Sequence, residues 1–173
     1  MELADDVVSG RCIEPALYIP KTLEQLLSDG GTLSLHETVY HAGRLLGGLG
    51  YLHACGVVHR DIKAANVIFV HGQAKLADPG LVRYKGGRQT VICTQNAAPE
   101  GPGEPIADLY SFGKLMLEMM PAGNSQENVR LREIALKACE KCPENRYQSA
   151  GEVVADLAEL ERRLTGTLVG GKS

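Results

Sequence analysis

His59-Arg60-Asp61-Ile62-Lys63-Ala64-Ala65-Asn66 is a polar segment set between two short β-type runs, Val57-Val58 and Val67-Ile68-Phe69-Val70. Taken alone, it reads as readily as a solvated turn between two strands. Its neighbours decide between that reading and a site. Upstream, Ser34 and Glu37 have the spacing of an N-cap and its capping-box partner, and Val39, Ala42, Leu45, Leu46, Leu49 and Leu52 follow at helical period, so a helix is expected from Ser34 to about Cys55. Gly43, Gly47, Gly48 and Gly50 each weaken that helix by about 1 kcal/mol relative to Ala, so it is expected to be buried on several sides.

Downstream, His71-Gly72 is a turn signal and Lys75-Leu76-Ala77 a further β-type run. A Gly/Pro-rich loop extends from Asp78 to about Pro105, broken by Thr90-Val91-Ile92. Helical patterns then fall near 107–120, 125–141 and 149–163, and the Gly-rich residues 164–173 read as a disordered tail. Before the long helix, residues 1–33 read as a strand remnant, a loop containing Gly10 and Pro20, and a short helix around Leu23, Leu26 and Leu27.

In this setting His59-Arg60-Asp61, with Lys63 and Asn66, resembles the catalytic loop of eukaryotic-type protein kinases, in a form similar to bacterial Ser/Thr kinases. Further elements stand in the family's order: Asp78-Pro79-Gly80 in the place of DFG, Ala98-Pro99-Glu100 as APE, Asp108 opening a helix with Leu109-Tyr110-Ser111-Phe112-Gly113, and Arg146 in a late loop. The resemblance covers residues 1–163. It implies a mainly α fold with short β-hairpins, that of the kinase C-terminal lobe with the small lobe absent. Residues 1–6 would be a hinge remnant and 7–163 the large lobe.

The family's chemistry implies a role for each matching residue. Asp61 would take the substrate hydroxyl's proton and Lys63 contact the transferring phosphoryl group, while Asn66 and Asp78 would ligate Mg2+ beside ATP. Glu2 and Ala4 would meet adenine, with Ile68 a further cofactor-binding position. His59, Arg60, Glu100, Asp108 and Arg146 would be structural: Asp108 accepting from the catalytic-loop backbone, and Glu100 pairing with an Arg146 that partly reaches solvent. The bland readings are a turn for Asp78-Pro79-Gly80, an edge strand for Met1 to Ala4, and solvated surface carboxylates for Glu100 and Asp108.

Departures from the pattern are as specific as the matches. No GxGxxG and no lysine-bearing VAIK-like strand is present in the sequence. Pro79 replaces the aromatic of DFG, and Pro121-Ala122-Gly123-Asn124 is a short turn where kinases insert a longer docking segment. Met1 resembles an internal methionine of a longer kinase. Tyr84, Thr90 and Thr94 are candidate phosphoacceptors, and Cys93 stands where kinases carry a threonine. Two functions follow: a Ser/Thr kinase domain acting on a protein substrate, completed by a small-lobe partner or an upstream segment, or a kinase-like binding module that transfers nothing.

Composition bounds both. At 173 residues and 44% hydrophobic, the chain is about one domain at ~150 residues each. With 18 Lys+Arg against 21 Asp+Glu, the net charge of -3 argues against nucleic acid or an anionic membrane as partner. No apolar run approaches the ~20 residues of a membrane span, and the acidic opening is unlike a signal peptide. Five cysteines (Cys12, Cys55, Cys93, Cys139, Cys142) without repeating spacing suggest reduced thiols in the cytoplasm rather than a disulfide framework. Cys139 and Cys142 read as helix-end cysteines.

Overall fold

The computed structural model describes residues 3–8, 10–12, 17–78 and 96–169. Five helices and one hairpin are built from them: α1 (Leu23–Ser28), α2 (Leu35–Ala54), β1 (Val67–Val70), β2 (Gln73–Leu76), α3 (Pro105–Met119), α4 (Gln126–Ala138) and α5 (Ala150–Val169). The fold is mainly helical, with a single two-stranded antiparallel sheet among the described residues.

Both early helices start on capping boxes, Thr22 with Gln25 and Ser34 with Glu37. In the second, Glu37 N donates to Ser34 Oγ at 3.2 Å while Ser34 N donates to Glu37 Oε2 at 2.8 Å, so two otherwise orphaned amides are satisfied. From there Val39, Ala42, Leu45, Leu46 and Leu49 face inward and are fully buried. α2 packs on α5 and on β2, and α3 packs on α4. Leu45, Phe112, Leu115, Met116, Leu131, Ile134, Val153 and Leu157 fill the space between these layers.

One glycine sets a helix separation. A β-carbon on Gly113 would lie 2.7 Å from the Ala135 carbonyl oxygen and 2.8 Å from Cys139 N, so α3 and α4 approach as closely as they do because no side chain stands there. α2 packs against α5, β2, α3 and α4, so the helix is buried on several sides as its glycine content implied, but two of its glycines stand away from those contacts. Gly47 and Gly48 are exposed, and β-carbons on Gly43, Gly47 or Gly48 would meet nothing within 4 Å. Only Gly50 of the four meets a neighbour, Ala150 at 3.5 Å.

The hairpin pairs Val67 with Leu76 through Val70 with Gln73. It turns at His71 and Gly72, whose φ values of 53° and 75° are those a two-residue hairpin favours. Asp5 holds this turn, its carboxylate accepting from His71 N at 2.9 Å and Gly72 N at 2.7 Å. Burial pushes the Asp5 pKa up, but the Gly72 and His71 amides, aided by the charges of Arg11 and His71, leave it below its usual value. The segment around Asp5 thereby lies against β1, with Asp5 N donating to Phe69 O at 2.7 Å and Phe69 N to Lys21 O at 3.0 Å.

Three element assignments differ from the sequence reading. Val57-Val58 joins no ladder among the described residues. α4 stops at Ala138, with Cys139 as its C-cap, because a 3-10 turn begins at Pro143. α5 continues to Val169, so residues 164–169 are helical rather than part of an irregular tail. Leu164 packs on the core, and the Thr165 hydroxyl donates to the Glu161 and Arg162 carbonyls. No described helix is long and apolar enough to cross a membrane.

Candidate active site

Past the end of α2 the chain turns at Gly56, φ 74°, and runs through Val57-Val58 into the loop 59–66. Ile62, fully buried, pins the loop into the core. A 3-10 turn over Ala64–Asn66 then feeds β1.

Asp108, in the first turn of α3, gathers the front of the loop. It is 1% exposed, and it accepts from His59 N (2.7 Å), Arg60 N (2.8 Å) and His53 Nε2 (2.9 Å). Arg60 has φ 69°, a left-handed conformation costing a non-glycine residue roughly 1–2 kcal/mol, and the bond to Asp108 helps hold it there. His59 is buried, and desolvation lowers its pKa against the opposing pull of Asp108 and Asp61.

Asp61 Oδ2 meets Lys63 Nζ at 2.9 Å and Asn66 Nδ2 at 2.8 Å, and the same Asn66 nitrogen donates to the Asp61 carbonyl at 2.8 Å. Asp61 Oδ1 is buried and has no hydrogen-bond partner among the described residues. The hairpin then brings its two ends together: Ala77 N donates to Asn66 O at 2.8 Å, so Asp78 follows directly beside Asn66. Asp78 is exposed, with φ 49°. Asp61, Lys63, Asn66 and Asp78 therefore form one neighbourhood, built by the loop and the two ends of a single hairpin.

The remaining candidates make other contacts or fall outside the described residues. The Ala4 carbonyl accepts from the Tyr18 hydroxyl at 3.2 Å. Ile68 is half-buried on β1 and bridges to Thr22. Met1, Glu2, Pro79, Gly80, Tyr84, Thr90, Thr94 and Cys93 fall outside.

Glu100 and Arg146 form a two-pronged ion pair, Nη1 with Oε1 and Nη2 with Oε2, the latter at 2.8 Å. Arg146 does not reach solvent, contrary to the sequence reading. Its side chain is 0% exposed, donating also to the carbonyls of Glu140, Lys141 and Ile106 and stacking over Tyr110. The late loop folds its carbonyls around the guanidinium, which a linear pattern does not reveal. The Arg146 hydrogen bonds hold the Glu100 pKa below its usual value.

Two contributors escaped the sequence reading. His53 carries a faint signal, a histidine in the last turn of a helix, whereas the acidic start of the chain offers none for Asp5.

A family model described as "Protein kinase domain" matches residues 16–159. A probable serine/threonine-protein kinase of Streptomyces coelicolor is 33% identical over 189 residues, spanning 86% of this chain and 28% of that protein. A probable serine/threonine-protein kinase of Clostridium acetobutylicum is 27% identical, spanning 82% of this chain and 27% of its own length. The chain thus spans about a quarter of the length of these curated relatives. Among solved structures, the Mycobacterium tuberculosis PknI kinase domain superposes with a TM-score of 0.65 at 21% identity, covering 82% of this chain and 62% of that one. That likeness is one of fold.

Proposed function

The chain belongs to the protein kinase family, and from that premise we propose that it carries the phosphoryl-transfer residues of a cytoplasmic Ser/Thr protein kinase, which moves the γ-phosphoryl group of ATP to a protein hydroxyl with Mg2+. The observation that carries the reading is the asymmetry of one carboxylate. Asp61 Oδ2 is held by Lys63 and Asn66, while Oδ1 is buried without a described partner. A buried acceptor left unpaired costs about 1–3 kcal/mol, and a substrate hydroxyl donating to Oδ1 would remove that cost. A base must be oriented before the proton moves, and Lys63 and Asn66 orient this one.

Asp61 then accepts the hydroxyl proton at Oδ1. Lys63, with 38% of its side chain exposed, lies beside the base where it can face the transferred group. Asn66 and Asp78 fit a magnesium site: the Asn66 amide nitrogen is committed to Asp61, leaving its oxygen to face a cation, and Asp78 adds an exposed carboxylate next to it. Mg2+ needs only one or two such protein oxygens, with phosphates and waters completing the shell. Bound there with ATP, it would neutralise charge developing on the phosphoryl oxygens. Arg60, next to the base in sequence, would pair with a phosphorylated activation segment, for which Tyr84, Thr90 and Thr94 are the candidate acceptors.

Leu3, Val8, Leu17 and Ile19 are 57%, 88%, 70% and 48% exposed. This apolar surface supports a small-lobe partner or an upstream segment lying over the hinge-like start of the chain. With Pro79 in the place of an aromatic, it also favours a second reading, a kinase-like module that binds and does not transfer. A phosphotransfer assay on the purified chain with Mg-ATP and a generic basic protein, run beside Asp61→Asn, separates them. Transfer that falls by at least ~100-fold in Asp61→Asn supports catalysis, and equal labelling in both proteins refutes it.

A further inference from the structure

One face of α2 points to solvent. Tyr40, Arg44, Gly47 and Tyr51 recur at spacings of four, three and four, which line residues along one side of a helix. Tyr40 is 39% and Tyr51 72% exposed. Between the tyrosines Gly47 and Gly48 cut a notch in which a β-carbon would meet nothing within 4 Å. Adjacent glycines weaken an exposed helix, and here no close packing requires them.

β2 forms the opposite wall, and the groove between it and α2 has a volume of about 520 Å3. Its apolar lining includes Tyr51 and Leu76, and Arg44 and Lys75 supply cations. No described residue lining it is a carboxylate, although the chain as a whole carries a net charge of -3. The Arg44 guanidinium donates to Gln73 Oε1 at 2.9 Å, which holds the charge at the groove instead of letting it sweep through solvent.

We propose that this groove docks a short acidic segment of a partner protein, its apolar side chains seated in the glycine notch between Tyr51 and Leu76 and its carboxylates facing Arg44 and Lys75. Exposed tyrosine and arginine are the side chains that protein interfaces enrich at their anchors. Charge selects the occupant. A basic segment meets two like charges, and a second copy docked through the same face would bring Arg44 and Lys75 against their own counterparts. The groove is lined by the second strand of the hairpin whose ends carry Asn66 and Asp78, and by no residue of the loop 59–66, so its occupant touches the element that positions the candidate active site without contacting the Asp61 loop.

Fluorescence polarisation tests this on the full chain, using a labelled decapeptide with glutamates flanking two leucines and a counterpart with lysine for each glutamate. The acidic peptide is expected to bind at least about tenfold more tightly, to weaken with added salt, and to bind equally well to Asp61→Asn, which separates docking from phosphoryl transfer. Gly47→Leu fills the notch and Arg44→Glu reverses its charge; each is expected to weaken binding by about tenfold or more. Both positions are exposed, and thermal melts verify that the variants fold. No binding of the acidic peptide, equal binding of the two peptides, or binding unchanged in both variants overturns the proposal. So does a dimer in gel filtration that Gly47→Leu dissolves, because a second copy would then be the occupant.

Discussion

Asp108 and Glu100 are both carboxylates serving buried groups, yet their loss has different consequences. Asp108→Ala orphans two backbone amides at a site 1% exposed, and at about 1–3 kcal/mol for each unsatisfied group it should cost about 2–6 kcal/mol. Glu100→Ala leaves Arg146 buried, but the carbonyls of Glu140, Lys141 and Ile106 still receive its donors, so a smaller loss of about 1–3 kcal/mol is expected. Denaturant melts check the order, and a larger loss for Glu100→Ala would refute it. Asp78 is a contrasting case. It is exposed, so Asp78→Ala should leave the fold intact while weakening the binding of Mg-ATP. Calorimetry with and without magnesium reads this directly, and an unchanged magnesium dependence would remove Asp78 from the metal site.

Elements depend on where their glycines sit. Gly113→Ala places a β-carbon 2.7 Å from a backbone oxygen of α4, which cannot move without the helix, so a loss of about 1–3 kcal/mol is expected from overpacking. Gly48→Ala, on the open face of α2, should instead stabilise by up to about 1 kcal/mol through helix propensity alone. Thermal melts of the two variants should move in opposite directions. Composition cannot separate these positions: both are glycines inside a helical pattern, and only the presence or absence of α4 opposite them tells one from the other. The capping boxes at Thr22 and Ser34 lie at the opposite extreme, since each involves residues three apart and is legible from spacing.

Across the whole molecule, two buried histidines link stability to pH. Desolvation lowers the pKa of His41, which lies edge-on to Tyr40 and Phe69, with the charge of Glu37 opposing the shift; His59 is lowered in the same way. A folded pKa below the unfolded value of about 6.5 means that the unfolded chain binds protons first. Stability is therefore full above about pH 6.5 and falls as the pH drops below it, by at most about 1.4 kcal/mol per pH unit for each histidine. Denaturant melts between pH 7.5 and 5.5 should show this decline. His41→Leu should flatten it, and an unchanged slope would mean that His41 does not contribute.

What the sequence by itself determined was local. The family follows from the order of Asp61, Asn66, Asp78, Glu100, Asp108 and Arg146, and the helices follow from caps and periodicity, because each of these signals is carried by residue type at a set spacing. Tertiary structure alone decided what lies opposite each residue. It brings Asp5 to the His71-Gly72 turn and His53 to Asp108, closes three carbonyls around Arg146, and leaves Gly47 and Gly48 of α2 open to solvent. Most of these contacts join residues 40 or more positions apart, and they form only when packing the shared core brings distant segments together, so no periodicity along the chain encodes them.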